Sequence, residues 1–159
     1  MAKETKQQQI KIKKMKSYLH RVHFQHLNEF VSKFKVKVEE NLRSIHASHE
    51  GFTLVFSRHV LLEPQALFDL EVVYHVECEF DEATQTFFKT NENILMDFIE
   101  KNKAKLLLAQ NVLSNSSKLI AELTSFNNKN PLILPAVLQG QKKKEDTEQF
   151  KDIPTNIIS

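Results

Sequence analysis

With 159 residues, 41% of them hydrophobic and 26% charged, the chain has the length and composition of one globular domain that buries a core without disulfides or metal staples. Its two glycines, Gly51 and Gly140, exclude a phosphate-cradling glycine loop and argue against a tight-turned all-β barrel, and its one cysteine, Cys78, excludes an intrachain disulfide, a cysteine zinc site and a C-x-x-C redox pair. The net charge of +2 is unevenly spread: residues 1–37 carry ten Lys/Arg against two Glu, residues 38–100 three Lys/Arg against thirteen acids, and residues 101–159 nine Lys against five acids.

The first predicted element is a strand carrying Ile10, Ile12, Tyr18, Val22 and Phe24 on one face. Met15 and Leu19 fall out of phase, which predicts a bulge or break near Lys14. Residues 25–32, with Leu27, Phe30 and Val31, suit a short helical turn or a crossover loop. A second strand follows, with Phe34, Val36, Val38 and Leu42 on one face and Lys33, Lys35 and Lys37 on the other. Residues 52–62 repeat the alternation through Phe52, Leu54, Phe56, Val60 and Leu62. Glu63-Pro64-Gln65 then turns the chain into a hairpin partner. That partner is the clearest element: Phe68, Leu70, Val72, Tyr74, Val76, Cys78 and Phe80 alternate with Asp69, Glu71, Val73, His75, Glu77 and Glu79. This is an antiparallel strand about 40 Å long, apolar on one face and acidic on the other.

After Asp81 the period changes from two to three-and-four. Residues 91–126 contain neither glycine nor proline and read as one long helix, bent near Asn102, where Asn102 and Lys103 interrupt the apolar stripe. Leu107, Leu108 and Leu119 widen that stripe beyond what a single sheet contact needs, which predicts a second packing surface and so an oligomer. Asn127 and Asn128 end the helix, and Pro131-Leu132-Ile133-Leu134-Pro135 forms an extended apolar segment pinned by prolines. The domain is expected to span 1–138, with 139–159 a polar, flexible tail. No run approaches 18 apolar residues and residues 1–9 show no signal peptide, so a cytoplasmic protein without membrane insertion is expected.

Little in the sequence points to catalysis. Cys78 falls on the apolar face between Glu77 and Glu79, and burial and negative neighbours both raise a thiol's pKa. His20, His23 and His26 recur every third residue, as do His46 and His49, but in a regular strand His23 faces away from the other two of its trio, so no metal site is predicted. The basic N-terminal third admits two readings. One is a nucleic-acid footprint; the other is a basic strand lying beside an acidic one. Three arginines are few for phosphate or base-edge recognition. The apolar residues left over, Leu27, Phe30, Val31, Leu132, Ile133, Leu134, Val137 and Leu138, are the candidates for an exposed partner surface.

Four long alternating strands, a crossover after the first, a long helix, and residues 119–138 with their proline-flanked Leu-Ile-Leu stretch together resemble the SecB-like family of export chaperones. The resemblance covers roughly residues 10–138 and implies an α+β fold: a four-stranded antiparallel Greek-key sheet packed by one long helix. It further implies a dimer of dimers, no enzymatic activity, no cofactor, and an ATP-independent holdase for unfolded polypeptide clients. Such proteins serve export through the SecA motor or hold an antitoxin client. By position, client binding falls to Leu27, Phe30 and Val31 in the crossover and to Leu132, Ile133 and Leu134 after the helix; an acidic partner-binding face falls to Glu71, Glu77 and Glu79. Two features depart from the family: residues 139–159 carry no second amphipathic helix, and residues 106–111 lack its proline-aromatic signature. Outside the resemblance, the alternatives are a nucleic-acid-associated protein using the Lys-rich N-terminal third, or a purely structural oligomer.

Overall fold

A computed structural model describes residues 9–26, 35–63, 68–125, 132–136 and 138. Four strands, β1 (Ile12–His26), β2 (Lys35–Ser48), β3 (Gly51–Glu63) and β4 (Phe68–Phe80), are followed by three helices, α1 (Glu82–Lys89), α2 (Glu92–Ala109) and α3 (Val112–Thr124). The strands form one antiparallel sheet in the order β1-β4-β3-β2. β2, β3 and β4 are sequential neighbours, and β1 crosses over to lie beside β4, which is Greek-key order. The α+β class and the four-stranded antiparallel sheet expected from the sequence are therefore found.

Period-two alternation dictates which face each residue takes. Leu54, Phe56, Val60, Leu70, Val72, Val76 and Phe80 all turn inward and are fully buried, and Asp69, Glu71, His75, Glu77 and Glu79 turn outward. β4 has the bounds its alternation predicts. β1 is less regular: its pairing with β4 shifts register between Ile12 and Lys14 and again between Leu19 and Arg21. The first shift is the bulge expected near Lys14. Together the two move Met15, Leu19, Val22 and Phe24 onto the inner face, in register with Cys78, Tyr74, Val72 and Leu70. Tyr18, grouped by sequence with the apolar set, pairs instead with His75 on the outer face. β2 runs well past Leu42, and its last turn is re-aimed at His46, whose φ of 54° coincides with a register shift between Ile45 and Ser48.

Gly51 opens β3 because the β4 backbone lies against it. A Cβ built there would overlap the carbonyl oxygen of Cys78, so the constraint is close approach rather than an unusual φ. Gly51→Ala is expected to destabilise the fold by about 1–3 kcal/mol, the usual cost of overpacking, read as a lower urea midpoint at an unchanged slope.

The helical half departs from a single long helix. α1 starts at Asp81, whose carboxylate accepts the Thr84 N–H at 2.9 Å; that bond holds its pKa below the ordinary aspartate value. The Thr84 hydroxyl in turn accepts the Lys11 N–H at 3.0 Å, tying the helix to the start of β1. Phe88 fills the layer between Phe80 and Phe98. The capping signal Asp81-Glu82-Ala83-Thr84 is legible in the sequence once helix starts are sought there. The kink is not at Asn102, which sits inside intact α2 and donates to the Phe98 carbonyl at 2.8 Å. Polar residues interrupt an apolar stripe without breaking a backbone. The break lies at Asn111, whose φ of 56° is left-handed, a conformation asparagine tolerates better than most residues. The re-aiming lets α2 pack on β2 and α3 on β4. It also accounts for much of the broad stripe: Leu107 turns to the core before the break and Val112 and Leu113 after it, while Leu108 stays exposed.

Candidate functional site

Of the residues assigned to client binding, Leu27, Phe30 and Val31 lie outside the described residues, as do Val137 and the tail 139–159. Leu132 and Leu134 do not form an exposed patch. They are 2% and 3% exposed and belong to the core, while Ile133 between them is 68% exposed. The physical reason is strand-like alternation in the segment 132–136, which turns every second side chain inward.

This segment is held by polar groups as well as by packing. The Leu132 N–H donates to the Thr124 hydroxyl at 2.8 Å, near the end of α3, and the Pro135 carbonyl accepts from Arg58 at 2.8 Å and from the Ser117 hydroxyl at 3.3 Å, further back along α3. The segment therefore runs antiparallel to α3 as a strap across the core.

Arg58 is the hub of the arrangement. It lies on the inner face of β3 between Phe56 and Val60 and is 1% exposed. Its guanidinium donates to Glu40 on β2 at 3.3 Å, to the hydroxyls of Ser116 and Ser117 at 2.9 and 2.7 Å, to the Leu113 carbonyl at 3.4 Å and to Pro135. Burial lowers its pKa from the ordinary arginine value and Glu40 opposes that shift. Among the described residues no buried side-chain nitrogen or oxygen lacks a partner. Sequence reasoning missed this hub although the signal was present. Glu40 and Arg58 occupy apolar phases of their strands, and the register sets them directly opposite each other.

The helices leave the inner face of β1 partly open. Leu19 and Val22 are 42% and 37% exposed, and Met15 and Phe24 beside them are half-buried. β1 is also an edge of the sheet among the described strands, so a strip of apolar side chains, interrupted by Ser17, lies along the outermost described strand.

The outer face is polar and its charges are paired across strands. Lys14 lies opposite Glu79 and Lys16 opposite Glu77. Arg21 contacts Glu71 at 2.7 Å, and the Tyr18 hydroxyl donates to Glu77 at 3.0 Å. The basic first strand thus lies beside the acidic fourth, and the acidic face of Glu71, Glu77 and Glu79 is partly offset by its neighbour.

The second register shift also brings His20 and His23 to this same face. His20 stacks on His75 with ring centroids 3.8 Å apart, His59 meets Asp69 at 2.6 Å and His23 approaches the same carboxylate at 3.6 Å. No three metal-ligating side chains converge among the described residues. Burial, more than the neighbouring His20, holds the His75 pKa below the ordinary 6.5, and Glu77 opposes the shift. A lowered folded pKa means that the unfolded chain takes up the proton first. The His75 contribution is complete above 6.5 and is lost as pH falls from 6.5 to the lowered folded value. His75→Gln is expected to flatten that limb in urea midpoints measured from pH 8 down to pH 5. Cys78 is buried, and burial pushes its thiol up to about 12, which leaves no thiolate near neutral pH. No helix among the described residues is long and apolar enough to cross a membrane.

No family model matches the chain, and no curated protein matches it. Among solved structures it is similar to the Mycobacterium tuberculosis Rv1957 SecB-like chaperone in complex with a ChAD peptide from the Rv1956 HigA1 antitoxin, at 12% identity over 79% of this chain and 89% of that one, with a TM-score of 0.48. A likeness at that level leaves the functional reading to the residues of this chain.

Proposed function

We propose that the protein is an ATP-independent holdase, not an enzyme, that binds unfolded or extended polypeptide segments. The observation that carries this reading is the partly open inner face of β1, where Leu19 and Val22 present apolar surface on the edge strand of the described sheet. An extended segment gains affinity from main-chain bonds to such an edge and specificity from alternate side chains set against the strip. The crossover residues Leu27, Phe30 and Val31, which follow β1 directly in sequence, are assigned to the same client, with Ile133 a further contact. The sequence resemblance to the SecB-like chaperones points the same way. It makes export through SecA or care of an antitoxin the two candidate duties, with Glu71, Glu77 and Glu79 as the face for a basic partner. Ile94 and Leu108, both exposed on α2 and 14 positions apart on one side of it, are the surface we assign to self-association, as a dimer of dimers in the cytoplasm.

The nucleic-acid alternative is disfavoured by the register that sets Lys14 and Lys16 opposite Glu79 and Glu77, since acidic neighbours lower the positive potential a phosphate backbone would need. The deciding assay is light scattering from a chemically unfolded client diluted into buffer without nucleotide. The protein is expected to slow aggregation, with little change between low and high salt. Leu27, Phe30 and Val31 changed together to serine are expected to weaken protection at least tenfold at unchanged oligomer mass. Protection that vanishes in salt yet ignores these substitutions would transfer the activity to the charged strand.

A further inference from the structure

We propose that the strap 132–136 is an intramolecular stand-in for a client, occupying a second peptide groove that an extended segment of the Leu-x-Leu-x type enters by displacing it. The inference rests on the holdase reading and adds a site to it. Three observations lead to it. The strap is extended, and it buries Leu132 and Leu134 while Ile133 points to solvent, which is how a bound strand uses alternate side chains. Its polar anchors reach only its backbone: the Leu132 N–H bonds to Thr124, and the Pro135 carbonyl bonds to Arg58 and Ser117. Any peptide with an amide and a carbonyl three residues apart offers the same two groups. The receiving groups, in contrast, are built in. Arg58 is 1% exposed and oriented by Glu40 and Ser116, and the buried Thr124 hydroxyl is oriented by its own 2.7 Å bond to the Ile120 carbonyl.

The occupant so defined is an extended peptide with aliphatic side chains at two alternate positions and a free carbonyl one residue beyond the second. A tethered strap competes at an effective concentration on the order of millimolar, so free peptide binds with an affinity reduced by the fraction of molecules whose groove is open. Removing the strap's two anchoring side chains lifts that competition. The resemblance-based assignment of Leu132 and Leu134 as client contacts predicts the opposite sign.

The test uses the full chain and a labelled peptide copying residues 130–136, Asn-Pro-Leu-Ile-Leu-Pro-Ala, with fluorescence anisotropy as the readout. The Leu132→Ser/Leu134→Ser variant is expected to bind it at least fivefold more tightly than the natural chain, and a peptide with serine at both leucine positions is expected to bind neither. Equal or weaker binding by the variant, or equal binding of the serine peptide, would overturn the proposal. So would a fall in oligomer mass without a gain in peptide binding, which would place the strap in a neighbouring copy. Should the variant not fold, hydrogen exchange on the natural chain decides. Millimolar peptide is expected to speed exchange of the Leu132 and Leu134 amides, and unchanged exchange at saturation overturns the idea. The peptide readouts involve no aggregating client, so a failed holdase assay and a failed strap proposal are separate results.

Discussion

Arg58→Ala is expected to cost about 3–5 kcal/mol, the loss seen when one partner of a buried ion pair is removed. Against a total stability of about 5–15 kcal/mol for a single domain, this is enough to unfold a substantial fraction of the protein or drive it into aggregates. The argument is geometric. Glu40 sits opposite Arg58 with its side chain 7% exposed, and the alanine variant takes the guanidinium away from that buried carboxylate. It also removes the donor that joins β3 to α3 and the strap through Ser116, Ser117 and Pro135. Arg58→Lys is expected to rescue little, because an ammonium replaces a planar fork with a point charge and cannot reach β2, α3 and the strap together. Arg58→Met with Glu40→Leu is expected to recover most of the loss, since removing both charges removes the desolvation cost with them. Urea unfolding of the four proteins checks this; a double variant no more stable than Arg58→Ala would mean that the hydroxyl and carbonyl contacts outweigh the ion pair.

The second large effect concerns the open strip. Leu19→Ser with Val22→Ser is expected to reduce client affinity about tenfold while leaving the fold intact. Fully burying such a side chain contributes about 1.5–3 kcal/mol, and the roughly 40% of each that is still exposed leaves about 0.6–1.2 kcal/mol per residue for a client to gain. The two together correspond to about one to two factors of ten in dissociation constant. Titration of a labelled unfolded client by anisotropy measures this, with circular dichroism as the check on folding. Unchanged affinity would remove β1 from the client surface. A fall in oligomer mass would assign the strip to a second copy instead.

What the sequence determined by itself was set by short-range periodicity. The alternation from Phe68 to Phe80 gave β4 its bounds, its buried face and its acidic face, because successive side chains in a strand have only two directions to take. The same rule predicted the β3–β4 hairpin and, through the phase slip at Met15, the first bulge of β1. The uneven charge admitted a basic strand beside an acidic one as one of two readings, and the register of β1 on β4 sets Lys14 and Lys16 opposite Glu79 and Glu77. Other features required partners distant in sequence. The second register shift, which brings His20 and His23 onto one face, shows only in pairing with β4. The break at Asn111 is a choice of backbone region that asparagine permits but does not compel, so the polar interruption at Asn102 was the more visible and the wrong cue. Whether Leu132 and Leu134 form surface or core was decided by Arg58, 74 and 76 positions earlier in the chain, together with Ser117 and Thr124. Periodicity records which side a residue takes; whether that side is then covered, and by what, is settled only when helices and strap close over the sheet.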